Sequence, residues 1–264
     1  MANTKLETTG LRHTKNMRAL IDADMILYRA AFAAETETRW EDDIFTLHST
    51  FPDLKDAFVD LIDSIEDELN PDSIELCFSS RVTFRHTMYP LYKANRADKR
   101  SPLGINDLRE WASKEWLTHV WPELEADDVL GILGTEDPNT CIVSGDKDMG
   151  TLPVTWFNFL KGDTIAVTKE QAQFFHATQI LSGDATDGYP GLKGFGPKTS
   201  QKTLAKHGVS WEVIVDLYEK QGMTEDDALM TARLAYILQD KDYNRETGRV
   251  RMWTPDMLEN QPPE

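Results

Sequence analysis

MRALIDAD (17–24) is the stretch on which the fold class turns. Its apolar run barely alternates and stops on two acids, Asp22 and Asp24. A continuous apolar run bounded by turn residues reads as a strand buried on both faces, the habit of parallel sheets. Two further stretches read the same way, SIELCFSS (73–80) and NTCIVSGDKD (139–148). Between the first two, Leu54, Phe58, Leu61, Ile62, Ile65 and Leu69 recur at spacings of three and four, one apolar stripe on an acidic helix over 53–69. Strands alternating with helices predict an α/β fold with a mainly parallel sheet.

Beyond about residue 180 the composition changes. SGDATDGYPGLKGFGPKTSQKTLAKHG (182–208) is rich in Gly, Lys and Thr and carries no strand signal. Helical patterns follow near 210–221 and 225–239, and VRMW (250–253) reads as a short closing strand. The chain thus divides into a polar, flexible lead-in (1–16), an α/β unit (17–180) and a helical region (181–264). The lead-in lacks the apolar core of a secretory signal. No apolar run approaches the roughly 18 residues of a membrane span. Cys77 and Cys141 sit in strand-like runs and read as buried core thiols in a reducing cytoplasm.

The formal charge is 28 − 45 = −17, which by itself argues against a polyanion ligand. It is unevenly spread. Residues 35–75 hold 14 acids and two bases, whereas 81–100 hold six bases against Asp98 and 188–208 hold four lysines and no acid. The acidic segment reads as a solvated face that steers nucleic acid toward the two basic runs.

Acids also gather where apolar runs end: Asp22 and Asp24, then Glu125, Asp127 and Asp128, then Asp146 and Asp148, then Asp184 and Asp187. Ligands of open α/β sheets bind at the carboxyl ends of strands. Converging carboxylates stay ionised only around a cation, and an all-oxygen set points to Mg²⁺ or Mn²⁺. On a regular helix Glu125 and Asp127 lie about 200° apart, so they converge only if Glu125 precedes the helix. In GLKGFGPKTSQKTL (191–204), Gly194 and Gly196 flank Phe195, Pro197 suits a first helical position, and Lys193, Lys198, Thr199 and Lys202 surround free N–H groups fit to hold a phosphodiester. Tyr92, beside Lys93, is a candidate to stack on a base.

Taken as a set, IDAD (21–24), YKANR (92–96), EADDVLG (125–131), SGDKDM (144–149), GDATDGYPG (183–191) and GFGPK (194–198) resemble the structure-specific 5′ nucleases, the flap endonucleases and 5′→3′ exonucleases. AAE (33–35) before Trp40, GMTEDD (222–227) and MWTP (252–255) are similar to the podovirus phage type. The resemblance implies a PIN-like nuclease domain with a helical arch near 81–117 and a helix–three-turn–helix in the C-terminal region. It implies two divalent metals, Mg²⁺ or Mn²⁺. Asp22, Glu125, Asp127 and Asp146 would hold the first, with Asp128 nearby; Asp146 or Asp148, with Asp184 and Asp187, would hold the second. A potassium ion at the helix–three-turn–helix is a further implied cofactor. Lys93 and Arg96 would act on the scissile phosphate, Tyr28 would stack on a base, and Arg85 would join the DNA contacts.

The implied partners are DNA with 5′ ends, nicks or flaps, RNA–DNA hybrids and replication proteins. The implied setting is a monomer in the cytoplasm of an infected bacterium, with no membrane role. One departure stands out. The family usually carries an Asp on the second strand, where this chain has Ser79 and Ser80, and Asp24 is the candidate to compensate. Two rival readings account for less. A haloacid-dehalogenase-type Mg²⁺ phosphatase would use Asp22 as nucleophile but leaves EADD, YKANR and GFGPK unexplained. A degenerate nuclease would hold branched DNA without cutting it.

Overall fold

The structure is a computed structural model that describes residues 16–96, 98–259 and 261–262; of the lead-in expected at 1–16, residues 1–15 lie outside the described residues. The strands are β1 (Arg18–Asp22), β2 (Thr36–Arg39), β3 (Phe45–His48), β4 (Ser73–Phe78), β5 (Leu117–Val120), β6 (Thr140–Val143), β7 (Thr155–Asn158), β8 (Asp163–Ala166), β9 (Gly183–Asp184), β10 (Tyr189–Pro190), β11 (Tyr243–Asn244) and β12 (Arg249–Val250). The helices are α1 (Ala23–Ala33), α2 (Phe51–Leu69), α3 (Phe84–Met88), α4 (Ile105–Glu115), α5 (Ala126–Glu136), α6 (Lys169–Ser182), α7 (Pro197–His207), α8 (Trp211–Glu219) and α9 (Glu225–Ala235).

The central sheet runs β5-β4-β1-β6-β7-β8, parallel except for the antiparallel edge strand β8. The three stretches read as buried strands are its centre, β4, β1 and β6. Residues 19–22 and 140–143 are buried without alternation because helices cover both faces. On one face α1, α2 and α4 pack over Ile21, Leu76 and Val143. On the other, α5 packs over Leu20 and Ile142, and this core continues through α6 to α7, α8 and α9. The stripe on α2 is seated through Leu54, Phe58, Ile62, Ile65 and Leu69, capped at the start by Thr50 and ended by Asn70 in the left-handed region (φ 45°).

Three expectations about elements change. Part of the arch expected at 81–117 is a flanking helix: α4 buries Leu108 and Ala112, and Trp111 and Trp116 pack edge-on against Phe58. The helix expected to reach 239 stops at Ala235, because Tyr236 is extended and the carbonyls of Leu234 and Tyr236 turn to Arg85. The closing strand is only the two-residue β12, paired with β11, while Trp253 fills the core.

Candidate active site

The strand order reverses between β1 and β6, which opens a crevice at their carboxyl ends. Asp22 ends β1 and caps α1, accepting hydrogen bonds from Met25 N (3.2 Å) and Ser144 Oγ (2.7 Å). Burial, with Asp24 and Asp146 close by, lifts its carboxyl to about 7 against the pull of the Ser144 hydroxyl. Ser144 also takes the Asp146 N–H (3.1 Å), and Asp146 in turn caps the short helical turn Lys147–Thr151. One hydroxyl therefore sets both strand-end acids.

α5 delivers the third acid to the crevice. Glu125 is its N-cap, with extended backbone (φ −84°, ψ 161°), so it precedes the regular helix and the geometric condition on Glu125 and Asp127 is met. The Asp127 carboxylate accepts no hydrogen bond among the described residues, and burial together with Asp22 and Asp146 pushes it well above the ordinary range. Glu125 is the opposite case. Burial pushes it up, but Lys93 and Arg85 hold it down at about 2. It accepts from Arg85 Nη1 (3.0 Å), Tyr92 OH (2.8 Å) and Lys93 Nζ.

The second group of acids faces cations. Lys147 Nζ donates to Asp148 Oδ1 (2.8 Å) and Asp184 Oδ2 (3.1 Å). Arg96 donates to Asp187 (2.6 Å), with Lys93 Nζ 3.8 Å from the same carboxylate. The 92–96 loop is fastened to the 184–187 turn through its backbone: Lys93 N–H donates to Asp187 O (2.7 Å), and the Asn95 amide donates to Ala185 O (2.8 Å) and Thr186 O (3.3 Å). Lys93 adopts φ 54° there, and a Cβ on Gly188 (φ 77°) would come within 3.0 Å of Leu91 O.

As they lie, no three acids among the described residues form a ready ion-binding group. Glu125, Asp148, Asp184 and Asp187 instead meet Lys93, Arg96 and Lys147, cations standing where positive charge is called for. The oxygen-only donor set, with Asp22 and Asp127 each pushed up by burial and by neighbouring carboxylates, suits hard divalent cations. The end of β4, where Ser79 and Ser80 stand, is met by Asp24: its Oδ2 accepts the Ser79 N–H (2.7 Å), and Ser79 Oγ accepts the N–H of Ala126 on α5 (2.9 Å).

Three site assignments are corrected. Arg85, expected to touch DNA, is 2% exposed, and its guanidinium is filled by Asp128, Glu125, Leu234 O and Tyr236 O. Tyr92, expected to stack on a base, is 3% exposed and turns its hydroxyl to Glu125 and Asp187. Asp128, expected near the metal, is fully buried with both oxygens on Arg85, and it also takes the N–H groups of Glu125 and Leu238.

Tyr28 is exposed. Lys193, Gly194, Gly196, Lys198, Thr199 and Lys202 are exposed on the turn between α6 and α7 and on the first turns of α7. Gly194 needs its glycine for φ 81°. Ser144, Asn95 and Lys147 were missed as site residues. The SGD spacing was the one available signal for Ser144, since a hydroxyl two residues before an acid commonly takes a local N–H.

Residues 17–184 match the family described as 5′-3′ exonuclease, N-terminal resolvase-like domain. Over 278 residues the chain is 28% identical to the exonuclease of Escherichia phage T7, covering 89% of this chain and 93% of that protein. It is 30% identical over 268 residues to DNA polymerase I of Mycobacterium tuberculosis, covering 92% of this chain and 28% of the polymerase. Among solved structures, the T5 D15 protein co-crystallised with metal ions superposes with a TM-score of 0.63 at 16% identity, covering 83% of this chain and 88% of that one. The bacteriophage T5 D15 flap endonuclease in a pseudo-enzyme-product complex with DNA and metal ions gives 0.59 at 15% identity, with the same coverage.

Proposed function

Because the chain belongs to the 5′-3′ exonuclease family, we propose that its crevice hydrolyses phosphodiester bonds at the 5′ ends of DNA, including nicks and flaps, and at RNA primers on DNA. The observation that carries this reading is that Asp22 and Asp146, at the β1–β6 switch, share the Ser144 hydroxyl, with the basic 92–96 loop fastened to Glu125 and Asp187. The phosphatase reading leaves that basic loop and the α6–α7 turn without a role, and it is set aside.

Two divalent ions, Mg²⁺ or Mn²⁺, held by Asp22, Glu125, Asp127 and Asp146 and by Asp148, Asp184 and Asp187, would supply a nucleophile near pH 7 and relieve charge on the leaving oxygen. The rest falls to the protein's own groups. Ser144 and Met25 N–H orient Asp22. Asp24, beside Ser79, adds a carboxylate at the end of β4. Lys93 and Arg96, released from Glu125 and Asp187, would turn to the scissile phosphate and stabilise its developing charge. Tyr28 would stack on the neighbouring base. The start of α7, with Lys198 and Thr199, would hold the backbone downstream without reading sequence. A potassium ion near the start of α7 is supported by Ser200 Oγ, which is buried without a hydrogen-bond partner among the described residues.

The protein would act as a monomer beside replication proteins, in an infected host's cytoplasm; no helix among the described residues is long and apolar enough to cross a membrane. The test is one assay. Duplex, nicked, flapped and RNA-primed substrates, 5′-labelled, are incubated with and without Mg²⁺ and the products mapped. Mg²⁺-dependent release of fragments ending in 5′-phosphate is expected. Tight binding of branched DNA with no cleavage under any condition would instead mark a binding protein.

A further inference from the structure

Lys147 stands between Asp146 and Asp148 in sequence, yet its ammonium joins Asp148 to an acid from another part of the fold, Asp184. Asp148 follows β6, and Asp184 begins the turn after α6. The two carboxylate side chains are only 18% and 12% exposed, whereas the Lys147 side chain is 63% exposed. The stem therefore runs through solvent, and only its charged tip reaches the shielded oxygens. Two shielded carboxylates facing one crevice repel unless a positive charge lies between them. Here the chain provides that charge itself.

We infer that Lys147 is an internal counter-ion, holding the place of a divalent cation between Asp148 and Asp184 and giving way when that cation binds. This rests on the proposed reading of Asp148 and Asp184 as metal-binding. The ammonium sits on Asp148 Oδ1 and Asp184 Oδ2, and a metal ion held by the same two carboxylates would compete with it. Metal binding at this pair would therefore compete with both contacts, and its apparent affinity would fall by up to the strength of the ion pair. Because the stem is largely solvated, that strength is modest and exchange is easy. The pair stays assembled without metal, and the metal enters by exchange rather than by ordering a scattered site. A side chain that merely supported the fold would act in the other sense, since its removal would loosen the acids and weaken the metal.

The test is Mn²⁺ binding to the full chain without DNA, read by the electron paramagnetic resonance signal of free Mn²⁺. Wild type, Lys147→Met, Lys147→Gln and Asp184→Asn are compared after circular dichroism confirms the fold of each. The expected result is that both Lys147 variants bind one of the two Mn²⁺ ions about three- to tenfold more tightly, with the stoichiometry and the affinity for the other ion unchanged. Asp184→Asn loses that same Mn²⁺. If Asp184→Asn loses that ion but the Lys147 variants bind it no better than wild type, the counter-ion role is wrong and the metal reading stands. If Asp184→Asn binds Mn²⁺ as wild type does, the pair is not a metal site and both readings fall.

Discussion

Arg85 and Asp128 form a bidentate pair sealed from solvent, with Nη1 2.6 Å from Oδ2 and Nη2 2.8 Å from Oδ1. The same guanidinium takes Glu125 and the carbonyls of Leu234 and Tyr236, so one buried charge ties α3, the start of α5 and the end of α9 together behind the crevice. Removing one partner of a buried pair strands the other charge. Asp128→Ala is therefore expected to lose about 3–5 kcal/mol of stability, read by urea denaturation, while the variant still folded at low temperature binds as many Mn²⁺ as wild type. A variant as stable as wild type that has lost an ion would restore Asp128 as a ligand.

Asp127 and Asp146 should behave differently from Asp128. The Asp127 carboxylate accepts no hydrogen bond among the described residues, and its charge is opposed by burial and by Asp22 and Asp146. Asp127→Asn should leave the metal-free protein as stable as wild type or more so, bind DNA within a few-fold, and abolish cleavage. Asp146→Ala should also abolish cleavage with DNA binding kept. Gel shifts and product gels on one flapped substrate decide this, and Mg²⁺-dependent cleavage by either variant would remove that residue from the machinery.

The raised carboxyl of Asp22 fixes a sign for pH. Its folded value, about 7, lies above the ordinary value of about 4 expected unfolded. Between these the folded state binds the extra proton, so this stability is complete below about 4 and lost as pH rises through about 7. Asp127 acts in the same direction. Glu125, held at about 2, adds the reverse dependence only at lower pH. In EDTA the protein should thus lose on the order of a few kcal/mol between pH 5 and pH 8. Saturating Mg²⁺ should flatten the slope, and Asp22→Asn should reduce it without metal. Urea midpoints at the two pH values test this; a metal-free protein more stable at pH 8 than at pH 5 contradicts it.

How far the site was legible in the sequence depended on the reach of each interaction. The strand-end acids Asp22 and Asp146 were readable because a buried strand must stop where its apolar run stops, and a parallel sheet brings those ends together. The N-cap role of Glu125 was readable as a geometric condition. Arg85 and Tyr92 were misread because local composition placed them in a basic run, whereas partners 33 to 151 residues away decide their burial. The bridge from Lys147 to Asp184 spans 37 residues and no motif announces it. Helix α4 was assigned to the arch by the resemblance alone, because the seat for Leu108 and Ala112 is formed by α1 and α2, distant in sequence.

The lysines after the glycine turn make the last expectation. Lys193, Lys198 and Lys202 are exposed, and none of them forms an ion pair among the described residues. Their charge is free for phosphates, unlike that of Lys93 or Arg96, which must first leave Glu125 and Asp187. Each phosphate contact that releases a counterion adds about 0.7–0.9 to the slope of log affinity against log salt. Replacing all three lysines by Ala should lower that slope by about 2 to 3 and weaken binding alike on every duplex sequence. Lys93→Ala should reduce cleavage far more than binding. The measurement is fluorescence anisotropy of duplex DNA across a salt series, paired with single-turnover cleavage. A triple variant with an unchanged slope would mean that DNA passes elsewhere, and α7 would then be only a support for the core beneath it.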